Sequence, residues 1–384
     1  ILLSRSNREQ AEKLLQEVES RAEKYEIPEQ VIESKQMLKL AFTRYRSQRV
    51  IKRYTAEIDA WIEKMTALQK AQNTYSNVLF DFERLPENQK QAEKSIHELE
   101  KMEKKSDLDT VKFWRISLQA RLNYINGHYK EAVKDYKALL ELRLYSPPVQ
   151  SDKGVSDIKM KMGECQSFLF DFKAAKTNFL EADALVKNDS YESYQLRKYL
   201  LLLDFYETPT KDTAEEIHKR INSTYTSRVP YALANYYLLR SIWLIFDNNP
   251  AKAAELIRNE EMVIEDAPAR DTFYRNIYLF IAGSNIAVSE GRKANKYCNA
   301  ALENLKALSK NELSSRQKLI IRSFQAIKNT GYDFRSYLKK HEEQIKRLEN
   351  NEGEYRWIPL SNEVMPVHSW IRNKVDKRKK LFKP

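Results

Sequence analysis

Glycine is scarce in this chain, with seven among 384 residues, at 127, 154, 163, 283, 291, 331 and 353. No two stand close enough to form GxGxxG or a phosphate-cradling loop, which excludes the glycine-rich nucleotide sites of α/β folds. Cysteine is scarcer. Cys165 and Cys298 are too few for a disulfide framework, lack metal-ligand spacing, and fall at apolar helical positions where free thiols are buried. Long apolar runs are also missing: the longest uncharged stretch, Asn276 to Ser289, contains Asn, Gly and Ser and is too short to span a bilayer. The histidines, His97, His128, His218, His341 and His368, are scattered without an HExxH or HxH pair, and no GxSxG or cysteine-nucleophile signature occurs. These absences predict a chain that is not an enzyme and that binds no cofactor and no metal.

Charge is plentiful, but it is unevenly placed. Charged residues make up 31% of the chain and the mean hydropathy is -0.68, as in a soluble, helix-rich protein. The formal net charge is +12. Seven basic residues, Arg372, Lys374, Lys377, Arg378, Lys379, Lys380 and Lys383, face Asp376 alone at the C-terminal end; taken from totals of 66 and 54, they leave 59 basic and 53 acidic side chains elsewhere. The body therefore carries no strong field of one sign, as a duplex-binding surface needs. Ile1 stands first, which leaves a processed N-terminus open. Location is accordingly read as cytoplasmic or, with such processing, periplasmic or exported.

Apolar residues recur at spacings of three and four, as in Leu14, Leu15, Val18 and Ala22 or Ile58, Trp61, Ile62 and Met65, while alternating runs are scarce. Most prolines fall between such segments or at their starts, where a helix loses least. The reading is all-α. Within it, NGHYKEAVKDYKALLEL (126–142) is matched by FDFKAAKTNFLEADAL (170–185), with Phe172 for Tyr129, Ala175 for Ala132 and Phe179 for Tyr136. Weaker matches place the same small residue at Ala92, Ala214, Ala253 and Ala294, giving successive separations of 40, 43, 39, 39 and 41. Each unit has room for two helices and a turn. Such a hairpin cannot bury its apolar stripe alone, so neighbours must stack.

These residues resemble the tetratricopeptide repeat family. Met162-Gly163, Asp171-Phe172, Ala175, Phe179 and Ala182 match its pattern nearly throughout, and Ala120, Gly127, Tyr129, Ala132 and Tyr136 match well, with Leu139 departing from the small residue. The period near 40 exceeds the family's usual 34, which calls for longer helices or loops. The resemblance implies a right-handed α-solenoid of antiparallel helix hairpins. On this reading residues 1–70 form N-terminal hairpins or a bundle, 71–350 the repeat array with capping helices, and 351–384 a basic tail containing tryptophan and proline.

The resemblance also implies a concave groove lined by the first helix of each hairpin, where the family binds peptides. Carried over residue by residue, the groove positions are Trp114, Ser117, Arg121 and Tyr124 in one hairpin and Asp157, Met160, Glu164 and Ser167 in the next. Asn235 and Asn276 continue the line. An aromatic patch of Tyr236, Tyr237, Tyr274 and Tyr278 is a second candidate anchor, with interhelical packing as the plainer reading. The implied function is a protein-binding scaffold or adaptor, as a sensor arm or a subunit of a larger assembly, with a protein or peptide partner. The alternative is a helical-repeat protein that associates with RNA or another polyanion through the basic tail.

Overall fold

The computed structural model describes residues 8–42, 48–79, 87–187, 190–207, 241–242, 244–245, 249–260, 269–292, 295–308, 313–350, 353–361 and 363–376. Among them no strand occurs, and the regular elements are α-helices and two short 3-10 turns. Contacts divide the chain into two units, Ile1–Asn188 and Asp189–Pro384.

Unit 1 contains α1 (Arg8–Lys24), α2 (Pro28–Phe42), α3 (Gln48–Leu79), α4 (Glu87–Ser106), α5 (Asp109–Ile125), α6 (Tyr129–Tyr145), α7 (Asp152–Phe168) and α8 (Phe172–Asp183). Each packs on its neighbours in sequence, and α3 also reaches α5. That is the pairing of an α-solenoid, in which every hairpin covers the apolar side of the one before. Helix α5 shows how it works. Val111, Leu118 and Leu122 enter a core with Ala71, Val78, Ala92 and Leu99 of α3 and α4. Ile116 and Ala120, on its other side, enter a second core with Ala132, Tyr136 and Leu139 of α6 and Ile158, Met162 and Cys165 of α7.

The turns of the two best-matched hairpins share one geometry. Gly127 has φ +76° and Phe170, 43 residues later, has φ +63°. In each, an amide reaches back over the turn: His128 N–H donates to the Asn123 carbonyl at 2.8 Å, and Asp171 N–H to that of Gln166 at 2.9 Å. This is the six-residue closure that left-handed residues permit at a helix C-terminus. A polar link recurs at the same offset, Asn123 to Asp135 at 2.7 Å and Asn178 to Gln166 at 2.8 Å. Next, Asp171 accepts the Ala174 N–H and starts α8.

Ala92, Ala132, Ala175 and Ala253 are fully buried; Ala214 and Ala294 lie outside the described residues. Close approach of paired helices is visible at Gly163, where an added Cβ would lie 2.5 Å from the Phe179 ring, and at Gly283, where it would lie 2.9 Å from Cys298 Sγ. Phe179 and Cys298 both stand four positions after a matched alanine. At the N-terminal end of unit 1, Lys35 of α2 is buried among Glu19, Glu23 and Glu57 of α1 and α3. The Glu26 carboxylate, in the α1–α2 turn, accepts the first two amides of α5 at 2.6 and 2.9 Å, where the helix dipole favours a negative charge.

Unit 2 contains α9 (Tyr191–Glu207), α10 (Pro250–Glu260), α11 (Ala269–Ser289), α12 (Lys296–Ala307), α13 (Ser315–Asn329), α14 (Phe334–Glu349) and α15 (Val367–Val375). From α10 onward each packs on the next. Phe280 of α11 stacks on Phe324 of α13 with ring centroids 4.1 Å apart, and Trp370 of α15 meets both Phe324 and Phe334 edge-on. No helix of the described residues is long and apolar enough to cross a membrane.

Candidate functional site

Three helices that lead hairpins in unit 1, α3, α5 and α7, together with α6, border a cleft of about 380 Å³. Tyr75 comes from α3, Ser117, Arg121 and Tyr124 from α5, Asp157 and Lys161 from α7, and Arg143 from α6. Helical spacing puts Ser117, Arg121 and Tyr124 on one stripe of α5, because residues three and four apart share a face. Four of the groove residues expected from sequence, Ser117, Arg121, Tyr124 and Asp157, thus meet around one space.

Each wall residue is held by its neighbours. Trp114 stacks on Tyr75 with centroids 5.8 Å apart, so it backs the wall. Ser117 hydrogen-bonds the Tyr75 phenol, whose pKa burial raises while Ser117 and the charges of Arg121 and Arg143 oppose the rise. Tyr124 donates to Glu164 Oε2 at 2.8 Å, and Lys161 Nζ donates to the same oxygen at 2.8 Å while standing 5.0 Å from the centre of the Tyr124 ring. Glu164 is therefore a buried anchor beneath the cleft. Ser167 is buried too and returns its hydroxyl to the Gly163 carbonyl at 2.8 Å. Met160 is half-buried and does not border the space.

Arg143 was not foreseen, because it lies on a second helix and the resemblance points to first helices. Its guanidinium lies 4.2 Å from the centre of the Phe113 ring. Nη1 donates to the Val149 carbonyl, and Nε, out of reach of water, has no hydrogen-bond partner. Burial lowers its pKa, against the pull of Tyr75 and Asp157. Gly154 makes this placement sterically tolerable: a Cβ there would stand 2.6 Å from Arg143 Nε. A glycine in the first turn of α7 was the one sequence signal that could have pointed to it.

The remaining expected positions fall elsewhere. Asn276 is buried in unit 2, donating to the Thr272 carbonyl and accepting from Asn304 at 3.1 Å. Asn235, Tyr236 and Tyr237 lie outside the described residues. Tyr274 and Tyr278 are buried rather than presented, so of the two readings of the aromatics, interhelical packing holds for these two.

The C-terminal segment crosses the helices of unit 2. Leu360 N–H donates to the Tyr206 hydroxyl of α9 at 3.1 Å, and Met365 N–H to the Tyr278 hydroxyl of α11 at 3.3 Å. Arg316 of α13 grips both Glu363 oxygens at 2.7 Å and takes the Tyr355 carbonyl at 2.6 Å. Trp357 is edge-on to Tyr206 at 5.5 Å and donates to the Glu363 carbonyl at 2.7 Å. Of the basic tail, Arg372 is forked onto Glu342 and Glu349, which raises its pKa, and Lys374 is exposed. Lys377, Arg378, Lys379, Lys380 and Lys383 lie outside the described residues.

The two thiols are buried, and burial pushes the pKa of each up to about 12. They stay protonated at neutral pH. No group of three or more His, Cys, Asp or Glu that could hold a metal ion occurs among the described residues.

No family model and no curated protein sequence matches the chain. Among solved structures it is similar to a chain in the structure of Naa15/Naa10 bound to HypK-THB, at 16% identity and a TM-score of 0.30 over 72% of its own length. It spans 38% of that chain.

Proposed function

We propose that this chain is a non-enzymatic, tetratricopeptide-like scaffold or adaptor, a sensor arm or a subunit of a larger assembly, whose unit 1 cleft seats a peptide segment of a protein partner. The observation that carries the reading is the convergence of Ser117, Arg121, Tyr124 and Asp157 from two successive hairpins on one space of about 380 Å³. A cleft of that size with aromatic walls and a few fixed polar groups suits recognition of side chains. Protonated, buried thiols support a binding role over nucleophilic chemistry.

The test is affinity capture from the native source with four baits: the full chain, Arg121→Ala, Tyr124→Ala, and a chain ending at Asp376. The truncation point matters. Removal from residue 372 onward would take away the Arg372 clamp on Glu342 and Glu349. Partners retained by the truncated bait and lost by both cleft variants are the expected result. Partners untouched by either substitution contradict the cleft assignment. Loss on truncation alone, with capture that weakens steeply as salt rises, would favour the polyanion-binding alternative.

A further inference from the structure

Unit 2 shows, with the chain's own backbone, how helices that lead hairpins hold an extended segment. Tyr206 of α9 and Tyr278 of α11 offer hydroxyl oxygens to main-chain amides. Arg316 of α13 presents its Nε–Nη2 edge to the two carboxylate oxygens of Glu363, both at 2.7 Å. Trp357 fits beside Tyr206. Tyrosine hydroxyls for the backbone, an arginine fork for an acid and an aromatic wall for an apolar neighbour together bind this segment.

The cleft of unit 1 is built on helices of the same rank and carries the same parts. Tyr75 and Tyr124 bring hydroxyl oxygens that already meet Ser117 and Glu164, and Tyr75 and Phe113 supply aromatic wall. Three cations, Arg121, Arg143 and Lys161, border the space with Asp157, and Glu164 behind the wall takes up the charge of Lys161. Arg143 is the telling one. Packing between the Phe113 ring and Gly154 holds it in place, its hydrogen bond to Val149 uses Nη1, and the Nε–Nη2 edge, the edge that Arg316 gives to Glu363, binds no carboxylate of the described residues. An unmade hydrogen bond on a covered donor is costly to the fold, and an acceptor brought by a ligand recovers it. A carboxylate approaching this edge meets Nη2 first, the nitrogen that neither the Val149 bond nor burial takes up.

We propose that the occupant of this cleft is an extended segment of a protein partner that places an Asp or Glu side chain on Arg143 and an adjacent large apolar side chain against Tyr75 and Phe113. This rests on the cleft being a peptide site, and it adds the chemistry that the peptide must carry. An arginine fork favours a carboxylate over an amide by geometry as well as charge.

A random peptide library displayed on phage and panned on the full chain at about 0.15 M salt supplies the probe. Selected peptides are expected to share an acidic residue beside an aromatic or large aliphatic one. Changing that acid to its amide should weaken binding roughly tenfold or more, and Arg143→Gln should weaken the acidic peptide comparably while leaving the amide peptide unchanged. Arg143 also packs on Phe113, so the denaturation midpoint of each variant is measured alongside. Arg143→Lys, which keeps the charge and stem without the planar fork, should fall between wild type and Gln. Acid-to-amide changes that cost nothing, or full retention by Arg143→Lys, would overturn the proposal. If such peptides are nevertheless lost on Ser117→Leu, the cleft remains a peptide site and the acidic chemistry alone fails. Peptides indifferent to every cleft variant, or no peptides at all, would sink both readings.

Discussion

Gly163 and His368 each sit where a single atom or a single proton decides the energy. At Gly163 the α7 backbone lies so close to Phe179 that a Cβ would stand 2.5 Å from the ring. Gly163→Ala should therefore destabilise unit 1 by about 1–3 kcal/mol, the usual cost of overpacking, read as a lower urea midpoint, and pairing it with Phe179→Leu should recover part of the loss. His368 is governed by protons. Burial first, then the charges of Arg316 and Arg372, hold its pKa at about 3, against about 6.5 in an unfolded chain. Between those values the unfolded chain binds a proton that the folded chain excludes, so stability falls as pH drops below about 6.5 and is unaffected above it. The residue as a whole is half-buried. The extra loss between pH 7.5 and 5, relative to His368→Gln, should therefore be on the order of 2 kcal/mol at most; parallel stability curves for the two proteins would contradict it. Gly163 and Phe179 were readable from the sequence, because a small residue and an aromatic recur at fixed offsets from Ala175. The state of His368 was not, since its neighbour Arg316 lies 52 residues away.

The described residues of 353–361 and 363–376 are tied together at their middle by a charge pair. Arg316 and Glu363 are both buried, and Glu363 also accepts the Val367 N–H that begins α15 at 3.0 Å. Arg316→Ala leaves that carboxylate buried without its partner, at a cost of about 3–5 kcal/mol, and should expose Trp357 and Trp370 to a red shift in tryptophan fluorescence. The reverse change, Glu363→Gln, keeps the shape and one acceptor, so it should cost less. Equal losses would mean that packing, and not charge, holds the segment. The tail's tryptophans and prolines marked it as distinct in the sequence, whereas its partners Tyr206, Tyr278 and Arg316 follow no local pattern. Turn chemistry was legible at Gly127 and obscured at the matching Phe170, where a bulky residue takes the same left-handed conformation.

Within unit 1, stability and binding both follow from hairpins stacking on hairpins. Because α5 feeds one core with α3 and α4 and another with α6 and α7, a defect in its packing should spread to both sides. Ala120→Leu, at a fully buried position, should weaken amide protection in α6 and α7 while α1 and α2 keep theirs. The stacking was legible because its period is written in small residues, and Ala92, Ala132, Ala175 and Ala253 are all buried. The cleft was only half legible: first-helix positions gave Ser117, Arg121, Tyr124 and Asp157, but Arg143 enters from a second helix through a gap that Gly154 leaves. The most direct measurement is amide hydrogen exchange on the full chain with and without a protein or peptide that binds it. Protection gathered on the C-terminal end of α3, on α5 and on the first half of α7 is the predicted result. Protection confined to the outer faces of α4 and α8, or to residues after Asp376, would contradict the account.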